Sequence, residues 1–413
     1  MTLSGVGIVL GAGIYVLVGE AAGEAGGATW AAFLFAAVLA ALTGLAFAEL
    51  AAMLPEAGAS AAYAREAFGA RIGFVTGWLD VSVNVIGAAA VALGFGGYLD
   101  DLLGFDRRLI ALLVIGVCAL VVYVGVRETV GLAVAFALAE AGGLLFVIVV
   151  GAPDLGSAAL FESPNGLPGV MAAAALVFFA YEGFEEIASL AEEAHDPTRT
   201  IPRAIILAVG LTSVLYVLVS MVATAVVPWE QLSQSGAPLA LVVEVATSER
   251  LGDALAVVAL FATFNTVLLL LATGARVVYG MANRQLLPPP LAHVSRRRGT
   301  PWAATVVVSL IAGAFVFSGD IGYVAQVTNF AVFGQFLAVN GAVIALRFSQ
   351  PLRPRPFRMR GSLRDVPLPA ALAIGGTLLF ALFMPWEAFV TGAAALLLGV
   401  ALSFVALRRG QPD

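Results

Sequence analysis

Twelve long apolar stretches run along this chain and leave little sequence between them for a water-facing surface. A helix needs about 20 apolar residues to cross the roughly 30 Å hydrocarbon core of a bilayer. Only 12% of the residues are charged, whereas an average soluble domain carries about 25%. We therefore predict an all-α integral membrane protein with about 12 transmembrane helices in a lipid bilayer. The predicted spans are 2–22, 28–53, 73–99, 107–126, 128–151, 168–191, 203–227, 252–282, 301–318, 322–348, 366–384 and 387–407.

The positions of the arginines predict the orientation of these helices. The chain has no lysine, and of its 21 basic residues all but Arg107, Arg108 and Arg250 fall in inside loops if the N-terminus is cytoplasmic. Because cytoplasmic loops carry an excess of basic residues, we expect both termini inside a multi-pass plasma-membrane protein. No cleavable signal peptide is predicted, since residues 1–18 lack a basic segment and a cleavage site. We expect an N-terminal tail that is very short or has been lost.

Composition and motifs exclude several classes of function. A single cysteine, Cys118, excludes a disulfide framework, and with only two histidines no metal site is expected. No basic patch lies outside the short loops, so nucleic acid is not an expected partner. The chain lacks the zinc-protease, nucleophile-elbow and Walker sequences. We therefore expect neither an enzyme, nor a bound cofactor, nor an ATP-driven pump within this chain.

The first and sixth predicted helices are interrupted at mid-depth. The interruptions read Leu-Gly-Ala-Gly-Ile at 10–14 and Ala-Tyr-Glu-Gly-Phe-Glu at 180–185. Paired interruptions at matching positions are typical of transporters built from inverted repeats. We predict a first five-helix repeat at 1–151, a second, inverted repeat at 152–348, and a cytoplasmic arginine-rich loop with two further helices at 349–413.

The interruption in the first helix predicts a binding site. Glycine lets the backbone open at Gly11 and Gly13, and unwound backbone at membrane depth is tolerated where it lines a cavity. The N–H groups freed at the start of a half-helix suit a carboxylate. Close helix packing through small residues is the alternative explanation of the two glycines. The matching interruption in the sixth helix favours the site.

Acidic residues inside the predicted spans are further candidates, because charge at membrane depth is costly and usually functional. Glu182 lies in the sixth-helix interruption, whereas Glu185 and Glu186 begin its second half and could instead cap that half-helix. Glu140 stands alone in the fifth span. It could bind and release a proton, or it could form a structural hydrogen bond as a neutral acid. Glu140 and Glu182 are therefore the candidates for coupling to a proton or another cation.

Other polar side chains in the spans are expected mainly to bond neighbouring helices. Any one of them could instead contact a substrate. They are Asp80, Asn84, Thr263, Asn265, Thr266, Asn329, Gln335 and Asn340.

Several short motifs follow one another in a fixed order. Gly-Ala-Gly-Ile breaks the first helix at 11–14, and the second helix ends in Ala-Glu-Leu at 48–50 before a Pro-x-x-Gly loop at 55–58. The sixth helix carries Phe-x-Ala-Tyr-x-Gly-Phe-Glu at 178–185, and Ile-Pro-Arg-Ala follows at 201–204. In these motifs the chain resembles the amino acid–polyamine–organocation transporter superfamily over nearly its whole length.

The resemblance implies the five-plus-five inverted-repeat fold and a local substrate site. Backbone at 11–14 would bind the substrate carboxylate, carbonyl groups at 180–183 would take its ammonium, and Phe184 would form an aromatic lid. Some members have a lysine in the fifth helix where this chain has Glu140, so coupling through a lysine is not carried over. The implied substrate-binding residues are Gly11, Ala12, Gly13, Ile14, Ala180, Tyr181, Glu182, Gly183 and Phe184.

We expect a secondary transporter of amino acids or related amines that works by alternating access, coupled to a proton or cation or acting as an exchanger. The alternatives are an inorganic-ion carrier on the same scaffold and a sensor that binds an amino acid without moving it. Gly13→Leu is expected to abolish transport in a folded protein, because the leucine would fill the space of the substrate carboxylate.

Overall fold

The computed structural model describes residues 9–56, 58–125, 130–157, 160–194 and 196–409. The beginning of the first predicted span and of the first predicted repeat, at 1–8, therefore lies outside the described residues. The helices are α1 (Gly13–Ala25), α2 (Thr29–Met53), α3 (Ala59–Phe68), α4 (Ala70–Leu103), α5 (Arg107–Val124), α6 (Val130–Gly151), α7 (Gly166–Val177), α8 (Phe184–Ser189), α9 (Pro197–Val226), α10 (Trp229–Gln234), α11 (Pro238–Ala246), α12 (Glu249–Asn283), α13 (Trp302–Val316), α14 (Ile321–Ser349), α15 (Leu368–Ala381) and α16 (Trp386–Arg409). Strands β1 (Ser362–Leu363) and β2 (Val366–Pro367) form an antiparallel hairpin.

The long helices agree with the predicted spans. Within the described residues, nine segments are long and apolar enough to cross a bilayer. One of these segments, Gly13–Met53, contains both α1 and α2, and the shorter apolar helices α13 and α15 coincide with two further predicted spans. An all-α membrane architecture is therefore confirmed. The repeat boundaries at 151/152 and 348/349 stay a prediction.

Three short helices in the connections were not predicted. They are α3 between α2 and α4, and α10 and α11 between α9 and α12. Each has 6 to 10 residues, too few to give a clear apolar period in the sequence. The hairpin of β1 and β2 was missed for the same reason, since each strand has two residues.

Helix α4 lies at the centre of the bundle. It packs along α12 and α14, and also contacts α5 and α16. A run of small residues, Gly87 to Ala92, is buried along it, which lets neighbouring helices approach closely. Peripheral α5 instead exposes large apolar side chains, as expected of a surface that faces lipid. The interrupted first and sixth helices meet each other, because α1 packs against α7. Helix α1 also contacts α4.

A buried ion pair joins α2, α14 and the loop that follows α14. The Glu49 carboxylate accepts two hydrogen bonds from the Arg347 guanidinium, at 3.0 and 2.6 Å, and one from the Met359 N–H at 2.8 Å. Arg355 lies 3.6 Å from the same carboxylate. Arg347 also donates to Ser362 Oγ in β1 at 2.6 Å. The fork-shaped guanidinium therefore fastens the arginine-rich loop to the helical bundle.

Candidate functional site

The first helix is interrupted at Gly11 and Ala12, as predicted. The backbone is helical up to Leu10, bends at the next two residues, and is helical again from Gly13. Gly11 has a positive φ of 21°, a backbone conformation that residues other than glycine rarely adopt.

Side chains from two neighbouring helices hold the backbone at this interruption. The Tyr216 hydroxyl of α9 donates to the carbonyl oxygens of Val9, at 3.2 Å, and Leu10. The Oγ1 atom of Thr266 in α12 accepts a hydrogen bond from the Ala12 N–H, at a distance of 3.2 Å. The Ala12 N–H, which was predicted to bind a substrate carboxylate, is therefore already bonded to a side chain.

The sixth helix is interrupted between α7 and α8. A 3₁₀ turn, Phe178–Tyr181, follows α7 and leads into Glu182, which is extended with ψ of 154°. Gly183 then has a φ of 115°, and α8 starts at Phe184. The positive φ explains why a glycine ends the interruption, because this backbone conformation strains any residue with a Cβ.

Two polar side chains bond the backbone on either side of this second interruption. Asn329 of α14 donates to the carbonyl oxygens of Ala175 and Leu176, at 2.7 and 2.9 Å. Glu185 accepts the Gly183 N–H at 3.0 Å. The contact of Glu185 is thus the capping interaction that was the alternative to a substrate role.

The two interruptions touch each other at Gly13 and Ala180. A Cβ built on Gly13 would lie 2.5 Å from the Cα of Ala180 and 2.8 Å from its Cβ. Both distances are well below the 3.5–4.0 Å at which carbon atoms normally pack. Gly13 therefore allows the two helices to pack closely at Ala180 and also forms part of the interruption. The outcome of Gly13→Leu stays a prediction, but a leucine here would collide with the Ala180 backbone as well as fill the space of the carboxylate.

A cavity of about 170 Å³ opens where the interruptions meet α4, α6 and α12. For scale, an apolar cavity of about 150 Å³ accommodates benzene, so this space suits a small organic solute. Its backbone wall is made by Gly11, Ala12, Gly13, Ala180 and Gly183. Its side-chain wall includes Asp80, Asn84, Glu140, Phe179, Glu182, Glu185, Glu186, Asn265, Thr266 and Thr273.

The wall of the cavity is strongly acidic. Five carboxyl groups line it, whereas no basic residue does among the described residues. Glu140 is only 2% exposed, and its Oε1 has no hydrogen-bond partner, which is also true of Glu182 Oε1. Asn265 lies within hydrogen-bonding reach of the Glu140 carboxyl group. Unpartnered carboxyl oxygens are costly to bury, so both groups have hydrogen-bonding capacity that the described residues do not use.

The structure brings most of the predicted site residues together and leaves three aside. Gly11, Ala12, Gly13, Ala180, Glu182, Gly183 and Glu140 all line the cavity. Ile14 and Tyr181 are fully buried outside it, and the Tyr181 hydroxyl donates to the Phe33 carbonyl at 2.9 Å. Phe184 packs on Phe47 and Phe336, with ring centroids 5.5 and 5.3 Å away. In this conformation the aromatic ring at the cavity is that of Phe179, four residues before the interrupting glycine.

Polar residues that were expected mainly to bond neighbouring helices divide into three groups. Thr263 donates within its own helix, to the carbonyl oxygens of Ala259 and Leu260 at 2.7 and 3.1 Å. Asn329, Gln335 and Asn340 of α14 make interhelical contacts as expected; Asn340 donates to Thr43 Oγ1 at 3.2 Å and Gln335 to Asp80 at 3.4 Å. Asp80, Asn84, Asn265 and Thr266 line the cavity. Asp80 and Asn84 lie one helical turn apart, and Asn265 and Thr266 are adjacent. Paired polar residues on otherwise apolar helices were thus the available signal for the missed cavity wall.

Comparison with known proteins gives consistent results. The amino acid permease family model matches residues 1–405. The branched-chain amino acid permease of Bacillus subtilis is 28% identical, with 99% of this chain and 92% of that protein covered. A vacuolar cationic amino acid transporter of Arabidopsis thaliana is 31% identical, with 84% of this chain and 62% of that protein covered.

A solved structure shares the fold. The manganese transporter of Eremococcus coleocola superimposes with a TM-score of 0.64 at 16% identity, with 99% of this chain and 95% of that chain covered. Together with the helix order and the paired interruptions, this likeness confirms the predicted fold class. The motifs, the fold and the match over almost the full length place the chain in the amino acid permease family, within the amino acid–polyamine–organocation superfamily.

Proposed function

We propose that this permease is a secondary transporter that carries cationic amino acids or related amines across the plasma membrane by alternating access. The observation that carries the proposal is the acidic cavity at the facing helix interruptions. Five carboxyl groups and no basic side chain line it within the described part of the chain. A net positive solute would neutralise part of this charge, whereas an anionic solute would be repelled.

The substrate carboxylate has a natural place at the start of α1. The cavity reaches Gly11 and Gly13, where the backbone turns into the helix, and the N-terminus of a helix favours negative charge. The Ala12 N–H is occupied by Thr266. We therefore assign the carboxylate to the remaining N–H groups that reach the cavity, those of Gly11 and Gly13.

The amine end of the substrate would lie toward the acidic wall. Glu182 is the strongest candidate, because its Oε1 is buried without a partner and the residue lines the cavity next to Ala180. Glu186 and Asp80 line the same cavity. A longer cationic side chain would extend toward these two residues.

Glu140 is the proposed coupling group. Its side chain faces the cavity, while its backbone carbonyl accepts the Tyr15 hydroxyl of α1 at 2.8 Å. A change of charge on Glu140 would thus act at a point where α6 is fastened to the broken first helix. Linking proton binding to the position of α1 gives a route for coupling to alternating access, and the inverted repeats at 1–151 and 152–348 would rock against each other.

Uptake into proteoliposomes tests the proposal. We expect saturable uptake of labelled arginine that is stimulated by an acidic exterior and is competed by lysine more strongly than by leucine. Flux of inorganic ions without amino acid uptake would replace the proposal with an ion carrier. Binding of arginine without uptake would replace it with a sensor, and preferred uptake of leucine would contradict the cationic substrate.

A further inference from the structure

A second cleft lies on the other side of the helix interruptions. It has a volume of about 620 Å³ and is formed by the far end of α1, by α7, and by the beginnings of α14 and α16. The predicted topology places these helix ends outside the cell. The central cavity is instead lined by the early part of α4 and the late part of α12. The same topology places these parts of the two helices toward the cytoplasm.

Carboxyl groups converge in this cleft. Glu20 and Asp320 face the same glycine, Gly322, and a Cβ there would lie 3.5 Å from Glu20 Oε2 and 3.4 Å from Asp320 Oδ1. Glu24 and Glu387 also line the cleft. The glycine leaves open the space between the first two carboxylates, which a side chain at residue 322 would fill.

Two arginines lie near the rim of this cleft, and both donate hydrogen bonds to backbone carbonyl groups. The Arg107 guanidinium donates to the Gly319 carbonyl, and the Arg108 guanidinium donates to the Ser318 carbonyl at 3.5 Å. Asp320 accepts the Tyr323 N–H at 2.8 Å and so caps α14. Neither arginine lines the cleft, whereas four acidic residues do.

A buried polar group without a partner also faces the cleft. Gln326 is only 4% exposed, and its Oε1 has no hydrogen-bond partner. The amide oxygen is an acceptor, and Gln326 lines the same cleft as the acidic residues. Leaving such an acceptor unpaired in a buried position is unfavourable, so the acceptor and the acids together are matched to a hydrogen-bond donor that carries positive charge.

One turn of the sixth helix separates this cleft from the central cavity. Leu176 lines the outer cleft, Phe179 lines the central cavity, and the 3₁₀ turn at Phe178–Tyr181 follows directly. The close backbone contact between Gly13 and Ala180 blocks the bundle at the same depth. A solute in the outer cleft would therefore be separated from the central cavity by the part of the molecule that alternating access requires to move.

We propose that this cleft is an outer binding site for the ammonium or guanidinium group of the substrate, occupied before the helix interruptions separate. The proposal rests on the cationic substrate class proposed above. It adds a recognition step at which positive charge is selected outside the central cavity, with Glu20 and Gln326 as the principal contacts. Fixed charge in a cleft raises the local concentration of an oppositely charged solute by about 10- to 1,000-fold.

The cleft can be probed without measuring transport. Cys118 is the one native cysteine and is fully buried, so Ser318→Cys supplies an accessible thiol at the exposed rim of the cleft. We would compare the labelling rates of cationic trimethylammonium and anionic sulfonate methanethiosulfonate reagents, added from outside. At low ionic strength we expect the cationic reagent to react at least about tenfold faster, and this preference should shrink in high salt.

Charge-neutralising variants assign the preference to the cleft. Glu20→Gln should lower the ratio of the two rates, and Glu387→Gln provides a second test at a residue that is exposed and tolerant of change. Glu249→Gln is the matched control, because Glu249 is an exposed acid at the start of α12 outside the cleft. Arginine should slow the labelling, leucine should not, and Glu20→Gln should abolish the protection.

Each result decides the proposal. Equal rates for the two reagents, a ratio that Glu20→Gln and Glu387→Gln leave unchanged, or the absence of protection by arginine would overturn it. These rates do not depend on uptake. A protein that shows charge-selective labelling with arginine protection but does not take up arginine would retain the outer site and refute the proposed function.

Discussion

Adding one methyl group at Gly13 tests the contact between the two helix interruptions. In Gly13→Ala, the new Cβ would lie 2.5 Å from Ala180 Cα, whereas carbon atoms normally pack at about 3.5–4.0 Å. The interruptions must therefore separate by roughly 1 Å. Overpacking of this kind costs about 1–3 kcal/mol, and the higher helix propensity of alanine offsets at most about 1 kcal/mol.

Thermal unfolding in detergent and arginine uptake measure the two consequences. We expect Gly13→Ala to unfold at a lower temperature than the wild type and to take up arginine more slowly, because the displaced backbone forms the cavity wall. Gly142→Ala in α6 is the matched control, since no heavy atom outside its own helix lies within 4 Å of a Cβ at that position. Identical unfolding temperatures and uptake rates in the two variants would refute the reasoning.

Two further variants test the coupling group and the buried ion pair. Glu140→Gln keeps the shape but cannot ionise, so proton-driven accumulation should weaken and the pH dependence of uptake should flatten, while arginine binding is retained; a wild-type pH profile would make Glu140 structural. Arg347→Met leaves the buried Glu49 carboxylate with only the Met359 N–H and the more distant Arg355 as partners, at a cost of up to about 3–5 kcal/mol, which should lower the unfolding temperature. Adding Glu49→Leu should recover part of the lost stability. An Arg347→Met protein with the same unfolding temperature as the wild type would contradict the account.

The spans and the interruptions could be predicted because both are local properties of the sequence. A run of about 20 apolar residues identifies a transmembrane helix regardless of its neighbours. The glycines at 11, 13 and 183 marked the interruptions for a similar reason, since their effect on the backbone is intrinsic. The short helices α3, α10 and α11 have no such signal and were missed.

The cavity wall and the buried ion pair depend on contacts between distant parts of the chain. Glu49 and Arg347 are 298 positions apart, and Arg347 was assigned to an inside loop on its charge alone. Asp80 and Asn265 reach one cavity from different helices, which no local pattern reveals. Gly13 shows why the two interpretations of a glycine could not be separated, because it both lines the cavity and allows the close contact with Ala180.

Equilibrium binding of labelled arginine to the purified protein tests the central claim most directly. Loss of a hydrogen bond to a charged group costs about 1.5–3 kcal/mol, which corresponds to roughly a 10- to 100-fold change in Kd. We predict that Glu182→Gln raises the Kd for arginine by at least about tenfold, whereas Glu249→Gln binds as the wild type does. Equal affinities in all three proteins, or no saturable arginine binding to the wild type, would contradict the assignment of the acidic cavity as the site of a cationic substrate.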